Sequence, residues 1–327
     1  MSSPEPLFLL SMPRSGSTLL QRMLATHPEI DSGPEPTLLL PLFALDAEEG
    51  VMTTINQQYT AQAIQDFYAS TGDAEAARRS TVHAAAMAAY ANASEGGRYF
   101  LDKTPKYCLI AEEILQTFPE APVILLWRNP LAIAASIMTT WGTEGGRWNL
   151  HHFGIDLYEG LPHLIDVAQR YPERVRSIRY EDLVVDQEGG IQQMFDHLGL
   201  DAAAADVSAY AKVELPGRIQ DPNVAKAGFD KVRSDRVDRW VEVMSNPRRR
   251  RWCRKYLDFL GDERLEFMGY DRQDLLDQLH AGSRSTSYLA NDLYWTVAAP
   301  IYRTFELGVM KSRVRRIQAR KPLHPHF

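Results

Sequence analysis

The sequence contains only two cysteines, Cys108 and Cys253, in 327 residues. Two cysteines are too few for a disulfide framework, and this pair lacks the spacing of a metal site. No apolar stretch approaches the roughly 20 residues that a transmembrane helix needs. The N-terminal apolar run Leu7–Leu10 has no basic segment before it and Pro13 directly after Met12, which is not typical of a signal peptide. These absences predict a chain in a reducing compartment, either cytoplasmic or peripheral to a membrane surface.

The sequence also lacks an excess of basic residues. Its 36 Lys and Arg side chains face 42 Asp and Glu, for a net charge of −6. Affinity for nucleic acid is therefore not expected, because binding to phosphates requires a basic excess. The charge is uneven: residues 300–327 carry seven basic side chains and one acidic one, which leaves −12 for residues 1–299. An acidic body with a basic tail indicates a surface partner for the tail.

The order of apolar segments predicts an α/β fold. Leu7–Leu10 is a continuous apolar run, typical of a strand buried on both faces. Further strands are predicted at Val123–Trp127 and Ser177–Tyr180. Helices are predicted at Thr18–Leu24, Thr60–Ser70, Ala74–Ala93, Ala111–Phe118, Leu131–Thr139, Leu157–Arg170, Ala203–Lys212, Arg236–Met244, Arg248–Leu260 and Asp271–Ala281. Alternating strands and helices predict a P-loop-like, three-layer fold with a central parallel sheet, covering helices and a helical C-terminal part.

A small polar break at His280–Ser287 predicts a division into residues 1–281 and a basic, mostly helical tail, residues 282–327. Beyond the break, apolar residues recur at every fourth position, which predicts an amphipathic helix with a kink at Pro300. These apolar residues are Leu289, Leu293, Val297, Ile301, Phe305 and Val309. Such a helix docks on its own body or on a second subunit, or lies on a membrane surface.

A glycine-containing loop, Pro13–Thr18, follows the first predicted strand and leads into a helix. Unpaired N–H groups at a helix N-terminus bind anions, and Gly16 lets the backbone approach a phosphate closely. The loop of nucleoside triphosphatases reads G-x-x-x-x-G-K-S/T. Here Ser17 follows the glycine directly, and the cation, Arg14, precedes it. The pattern therefore predicts a phosphate loop and argues against triphosphate hydrolysis.

A second candidate phosphate site follows the strand predicted at Val123–Trp127. Arg128 comes at the carboxyl end of that strand, beside a helix start, where ligands bind in open α/β sheets. Ser136 follows eight residues later, so we expect it to face the same crevice after two helical turns. Together with the loop, this pair predicts two separate phosphate pockets for one nucleotide.

These motifs resemble those of sulfotransferases that use 3′-phosphoadenosine-5′-phosphosulfate (PAPS). The segment Phe8–Leu20 looks like the family's 5′-phosphosulfate loop, and Arg128 with Ser136 looks like its 3′-phosphate site. The segment Arg179–Leu183 resembles the strand-end motif near the adenosine. The segment Asp230–Trp240 resembles the later loop that closes over the nucleotide. The four motifs follow the family's order along most of the chain before residue 240.

The N-terminal third is closest to the pattern of protein-tyrosine sulfotransferases. By this resemblance, a catalytic glutamate falls on Glu35 and a catalytic lysine on Lys103. Cytosolic small-molecule sulfotransferases have a histidine two residues after that lysine, whereas this chain has Pro105, which excludes a histidine base there. Tyrosine-sulfating enzymes also use a serine ahead of the closing loop, but residues 209–233 contain no serine.

The resemblance implies PAPS as sulfuryl donor, adenosine 3′,5′-bisphosphate as product, no metal, and a hydroxyl-bearing acceptor: a small molecule, lipid, glycan or phenol. Lys103 would offset charge on the bridging oxygen, while Glu35 would accept the acceptor's proton. The region Trp141–Phe153 and the helices of residues 50–95 are expected to shape the acceptor pocket. The nucleotide-binding residues implied by the motifs are Arg14, Ser15, Gly16, Ser17, Thr18, Leu19, Arg128, Ser136, Tyr180, Lys231 and Arg233.

Two other functions fit parts of the sequence. One is a small-molecule kinase with a variant phosphate loop, which the missing Gly-Lys pair disfavours. The other is a non-catalytic protein that docks through its basic tail to a membrane or a protein. Neighbouring His151 and His152 lack a third ligand and indicate a loop rather than a metal site. The arginine-rich segment Arg248–Lys255 is predicted to be a solvated helix face rather than a site for an anionic polymer.

Overall fold

The computed structural model describes residues 3–48, 57–141, 147–215 and 237–305, together with Met310 and Val314. Within these residues the chain forms a five-stranded sheet in the order β2-β3-β1-β4-β5. The strands are β1 (Glu5–Ser11), β2 (Ile30–Ser32), β3 (Tyr99–Asp102), β4 (Val123–Trp127) and β5 (Val175–Arg179). All four pairings between neighbouring strands are parallel.

Helices connect the strands and continue beyond the sheet. They are α1 (Ser17–Leu24), α2 (Leu39–Phe43), α3 (Gln57–Ala69), α4 (Ala74–Ala93), α5 (Ala111–Thr117), α6 (Pro130–Trp141), α7 (Leu161–Arg170), α8 (Tyr180–Val185), α9 (Gln187–Leu198), α10 (Trp240–Val243), α11 (Pro247–Phe267), α12 (Arg272–Ala281) and α13 (Leu289–Thr304). Among the described residues, none of these helices combines the length and the apolar character needed to cross a membrane.

Strand β1 lies at the centre of the sheet and is buried on both faces. Its residues Leu7–Leu10 are at most 1% exposed. Leu7 and Leu9 pack in one cluster with side chains of α1 and α9. Phe8 and Leu10 pack in a second cluster with side chains of α5, α6 and α7. Successive side chains of a strand point to opposite faces, so helices cover both sides of the sheet. The predicted three-layer α/β fold is confirmed.

Two strands, β2 and β3, and three helices, α2, α8 and α9, are not predicted by the sequence pattern. Strands β2 and β3 have only three and four residues, too few for apolar alternation to stand out. Helix α9 contains Gly189 and Gly190, which weaken the helical signal. The helix forms because Asp186 caps it by accepting a hydrogen bond from the backbone N–H of Gly189.

The prediction of a helix at Ala203–Lys212 is wrong. The structure has two short 3₁₀ segments there, Ala202–Ala204 and Val207–Lys212. Asp201 accepts a hydrogen bond from the N–H of Ala203, 3.0 Å away. A side chain that pairs with the backbone so locally competes with a continuous helix. In a separate difference, strand β5 ends at Arg179, one residue before the predicted end at Tyr180.

The C-terminal helix α13 packs on α11 through a buried ion pair. Asp292 is 0% exposed, and its Oδ2 atom lies 2.7 Å from Nε of Arg249 and 2.7 Å from Nδ2 of Asn246. Arg250 is also buried and donates to the carbonyl of Gly282, 2.7 Å away. The prediction of a solvated arginine face is therefore wrong for Arg249 and Arg250. The division at residue 281 stays a prediction.

Removal of the Asp292 carboxylate leaves the Arg249 guanidinium charged and buried without its partner. We expect Asp292→Ala to lower the free energy of unfolding by about 3–5 kcal/mol, measured by urea denaturation. The matched control is Glu75→Ala, which removes an exposed partner of Arg79 and should cost at most about 1 kcal/mol. Equal losses in the two variants would contradict the structural role given to the buried pair.

Candidate active site

The candidate site residues follow the strand ends at one edge of the sheet. The phosphate loop, Arg14–Leu19, follows β1; Glu35 comes three residues after β2; Lys103 directly follows β3. Arg128 directly follows β4, and Tyr180 directly follows β5. Because all neighbouring strands are parallel, these five ends emerge on the same side. Open α/β sheets bind their ligands at that edge.

The phosphate loop has an unusual backbone. Arg14 has φ of 71° and Gly16 has φ of 92°, both in the left-handed region that favours glycine. Turns of this kind direct successive N–H groups toward an anion. A Cβ atom on Gly16 would lie 2.4 Å from the ring of Tyr180, so no side chain fits there. The hydroxyl of Ser15 is buried and has no hydrogen-bond partner among the described residues.

Arg128 contacts both the phosphate loop and the end of β5. Its Nη1 donates to the carbonyl oxygen of Arg14 at 2.7 Å, and its guanidinium lies 4.4 Å from the ring centroid of Tyr180. Burial lowers the pKa of the Arg128 guanidinium. Its Nε has no hydrogen-bond partner among the described residues. Nε of Arg14 lies 3.4 Å from Oγ of Ser136, so the structure brings this serine to the same crevice.

Lys103 connects the phosphate loop to Glu35. Its side chain is 2% exposed, and Nζ lies 2.6 Å from Oε1 of Glu35 and 3.2 Å from Oγ1 of Thr18. The Glu35 side chain retains 21% exposure. A buried cation thus bridges the start of α1 and a carboxylate that solvent can still reach.

A buried network behind Lys103 holds the segment that carries Glu35. Asp102 is 0% exposed, and its Oδ2 accepts hydrogen bonds from the hydroxyls of Tyr90 at 2.7 Å and Tyr107 at 3.0 Å. The Tyr107 hydroxyl in turn accepts from the N–H of Leu39. Desolvation by burial raises the pKa of Asp102 to about 6, although both tyrosine hydrogen bonds oppose this rise. The sequence pattern does not reveal this network, because its members belong to three separate segments.

The phosphate loop borders a layer of aromatic side chains. The guanidinium of Arg14 lies 5.3 Å from the ring centroid of Trp141, which stacks on Phe153 with centroids 4.9 Å apart. Within the predicted acceptor region, Trp148 instead packs in the core against Trp252. His151 stacks on Trp295 of α13, and burial lowers the pKa of this histidine to about 4.

Two predicted nucleotide-binding residues, Lys231 and Arg233, lie outside the described residues. Within the part of the chain that the structure describes, no group of three or more His, Cys, Asp or Glu side chains is placed to hold a metal ion. The described site therefore consists of the loop, the cations Lys103 and Arg128, and the carboxylate of Glu35.

Comparison with known proteins gives consistent results. The family model described as "Sulfotransferase family" matches residues 6–204. Nodulation protein NoeE of Sinorhizobium fredii is 35% identical over 226 residues, which are 62% of this chain and 52% of that protein. Omega-hydroxy-beta-dihydromenaquinone-9 sulfotransferase Stf3 of Mycobacterium bovis is 26% identical over 111 residues, 30% of this chain and 28% of Stf3. The chain spans about half of the first of these relatives and less of the second.

A solved structure shares the fold. The sulfotransferase domain from the curacin biosynthetic pathway aligns with a TM-score of 0.51 and 24% sequence identity. The alignment covers 73% of this chain and 91% of that domain. At this identity the likeness concerns the arrangement of the sheet and its helices.

The raised pKa of Asp102 makes stability depend on pH. The folded chain binds this proton more tightly than the unfolded chain, so the stabilisation is present at low pH and is lost as the pH rises through about 6. Asp102→Asn removes the titrating group. The free energy of unfolding of the parent, minus that of the variant, should fall by about 2 kcal/mol from about pH 4 to about pH 7.

Denaturation curves at several pH values measure this difference. Asp66→Asn, which replaces an exposed carboxyl, is the matched control for the loss of one acid. A parent-minus-Asp102→Asn difference that stays constant with pH would contradict the raised pKa.

Proposed function

Because the chain belongs to the sulfotransferase family, we propose that it transfers a sulfuryl group from PAPS to a hydroxyl group of an acceptor. The observation that carries the proposal is the convergence of the phosphate loop, Lys103, Arg128 and Glu35 at one edge of the sheet. Stf3 is named for an omega-hydroxy acceptor, which supports a hydroxyl acceptor here. The acceptor is a small molecule, lipid, glycan or phenol.

The residues around the phosphate loop fit a nucleotide that carries two separate phosphate groups. In our proposal the N–H groups of Arg14, Gly16, Ser17 and Thr18 hold the 5′-phosphate, helped by the positive end of α1. The N–H groups of Ser15 and Leu19 instead donate to the carbonyls of Met12 and Gly16. Arg128 and Ser136 hold the 3′-phosphate. The free Nε donor of Arg128 and the unpartnered hydroxyl of Ser15, both among the described residues, support an anionic ligand, because buried donors without partners are costly.

The absence of a side chain at Gly16 lets the ring of Tyr180 pack against the phosphate loop. Tyr180 already fills the space that a Cβ atom would need. Its ring also lies against the Arg128 guanidinium, so the tyrosine joins the two proposed phosphate subsites. We assign Tyr180 to the adenosine side of the pocket, and Lys231 and Arg233 to the segment that covers the nucleotide.

Bound PAPS supplies a sulfuryl group, whose bond to the bridging oxygen breaks as the acceptor oxygen bonds to sulfur. Lys103 is proposed to stabilise the negative charge that develops at the bridging oxygen. Glu35 is proposed to accept the proton of the acceptor hydroxyl. The 2.6 Å contact between these side chains supports shared positioning, since it fixes the carboxylate beside the loop that holds the donor. No metal is assigned to the reaction.

The experiment that tests this function is a transfer screen. The full chain is incubated with labelled PAPS and a library of hydroxyl-bearing acceptors, and mass spectrometry detects the added sulfonate. Thermal protection by adenosine 3′,5′-bisphosphate, without protection by ATP–Mg²⁺, is the expected companion result. Protection by ATP–Mg²⁺ alone would indicate the kinase alternative and overturn the proposal.

Arg128→Ala should weaken the binding of adenosine 3′,5′-bisphosphate. Charge-assisted hydrogen bonds to a phosphate each contribute about 1.5–3 kcal/mol, so we expect a loss of roughly 10- to 100-fold in affinity. Isothermal titration calorimetry measures it. Arg251→Ala removes an exposed arginine and should leave the affinity unchanged. An unchanged affinity in Arg128→Ala would rule out the 3′-phosphate assignment.

Glu35→Gln keeps the shape of the side chain but removes its ability to accept a proton. We expect kcat to fall at least ~100-fold, the low end of the contribution of a positioned base, while the Kd for adenosine 3′,5′-bisphosphate changes little. Glu120→Gln, at an exposed position, is the matched control. A Glu35→Gln enzyme that keeps most of its turnover would place the base elsewhere.

Lys103→Ala should also slow transfer, because the developing charge on the bridging oxygen loses its cation. The loss of one such electrostatic contact costs ~100- to 1,000-fold in kcat. Single-turnover rates with saturating PAPS separate this defect from weaker donor binding. A normal single-turnover rate would exclude Lys103 from the transfer step.

A further inference from the structure

Helix α13 presents one face to the body and the opposite face to solvent. On the inner face, Asp292 is buried in its ion pair, Asn291 accepts from the N–H of Trp148, and Trp295 stacks on His151. These contacts fix the rotation of the helix about its own axis. Because these three contacts hold the inner face on the protein body, the opposite face of α13 is left exposed to solvent.

The outer face is apolar. Its side chains are Leu293, Tyr294, Val297, Ile301 and Phe305, which are between 51% and 69% exposed. With about 100° of rotation per residue, they fall within an arc of about 120°. The hydrogen bond from the N–H of Phe305 to the carbonyl of Ile301 extends the helical turn to that residue. We call these five residues the outer stripe of α13.

Positive charge accompanies the outer stripe along the chain. Residues 300–327 carry seven basic side chains and one acidic one. Beyond Phe305, the described residues of this segment are Met310 and Val314, which are 54% and 49% exposed. An apolar stripe on a helix, with aromatic residues and neighbouring cations, is the composition of helices that lie at a bilayer interface.

We propose that the outer stripe of α13 docks on the surface of an anionic lipid bilayer. The five side chains enter the boundary between headgroups and acyl chains, and the anionic headgroups complement the net positive charge that residues 300–327 carry in the sequence. The helix lies in the plane of the interface, and its inner face stays on the protein body. This inference is independent of the proposed sulfotransferase activity, because it rests on the surface of α13 alone.

A bilayer fits this surface better than a second copy of the chain does. Stable protein interfaces contain ~20–30 residues on each side, whereas the outer stripe offers five. An anionic bilayer combines an apolar interior with the opposite charge to residues 300–327.

Vesicle flotation of the full chain tests the proposal without nucleotide or acceptor. The probes are vesicles of phosphatidylcholine alone and of phosphatidylcholine with phosphatidylglycerol. We expect binding to the mixed vesicles, with at least ~tenfold weaker partition onto phosphatidylcholine alone. Salt at about 0.5 M should weaken the binding to mixed vesicles, because it screens the headgroup charge.

The double variant Val297→Ser/Ile301→Ser removes apolar surface without changing charge. It should partition onto mixed vesicles at least ~tenfold more weakly than the parent. The matched control, Val185→Ser/Phe67→Ser, alters side chains that are 86% and 67% exposed, more than the 69% and 51% of the variant pair. The control should bind as the parent does. Circular dichroism verifies that both variants are folded.

Several results would overturn the proposal. These are failure of the parent to float with mixed vesicles, flotation of the outer-stripe variant equal to that of the parent, and a loss of binding in the control variant as large as in the outer-stripe variant. Sedimentation velocity adds a further outcome: a dimer of the parent that becomes a monomer in the outer-stripe variant would assign the stripe to a second copy. Transfer activity enters none of these measurements, so a failed acceptor screen leaves this test intact.

Discussion

The parallel pairing of β1 with both β3 and β4 is the constraint on which the candidate site depends. Parallel neighbours need crossover connections, so after each strand the chain returns to the same edge of the sheet before the next strand begins. Every strand end therefore emerges on one side of the sheet, where Lys103, Arg128 and Tyr180 meet the phosphate loop. Burial of Leu7–Leu10 in the centre holds that loop in place, because a shift of β1 would expose apolar side chains.

The cations that meet at this edge of the sheet are unfavourable for the folded state in several ways. Arg128 is buried enough for its pKa to fall, and Arg14 adopts a left-handed backbone that few non-glycine residues occupy. The buried positive charge of Lys103 is neutralised by its ion pair with Glu35. Among the described residues of the edge, the Ser15 hydroxyl and Nε of Arg128 have no hydrogen-bond partner, so donors remain that an anion could use.

The sequence predicts the parts of this arrangement that are local. The apolar run of β1, the loop after it and the arginine after β4 are each recognisable within about a dozen residues. Strands β2 and β3 are too short to predict, so only the family resemblance, and no local pattern, connects Glu35 with Lys103. The Asp102 network and the Arg249–Asp292 pair join residues far apart in the chain. Such contacts depend on how the helices and strands pack together, and the periodicity of residues along the sequence does not reveal that packing.

The chain from the end of β2 into the first residue of α2 is held by two backbone N–H groups, which donate to side-chain hydroxyls just after β3. The N–H of Thr37 donates to Oγ1 of Thr104, and the N–H of Leu39 donates to the hydroxyl of Tyr107. Glu35 therefore keeps its position through contacts with the end of β3 and the turn after it, rather than through the peripheral helix α3. Helix α3 and the exposed face of α4 are thus separable in design, whereas Tyr90 of α4 must stay because it donates to Asp102. Chimaeras that exchange only those exposed residues with those of relatives can diversify the neighbouring surface while the Glu35–Lys103 pair stays in register.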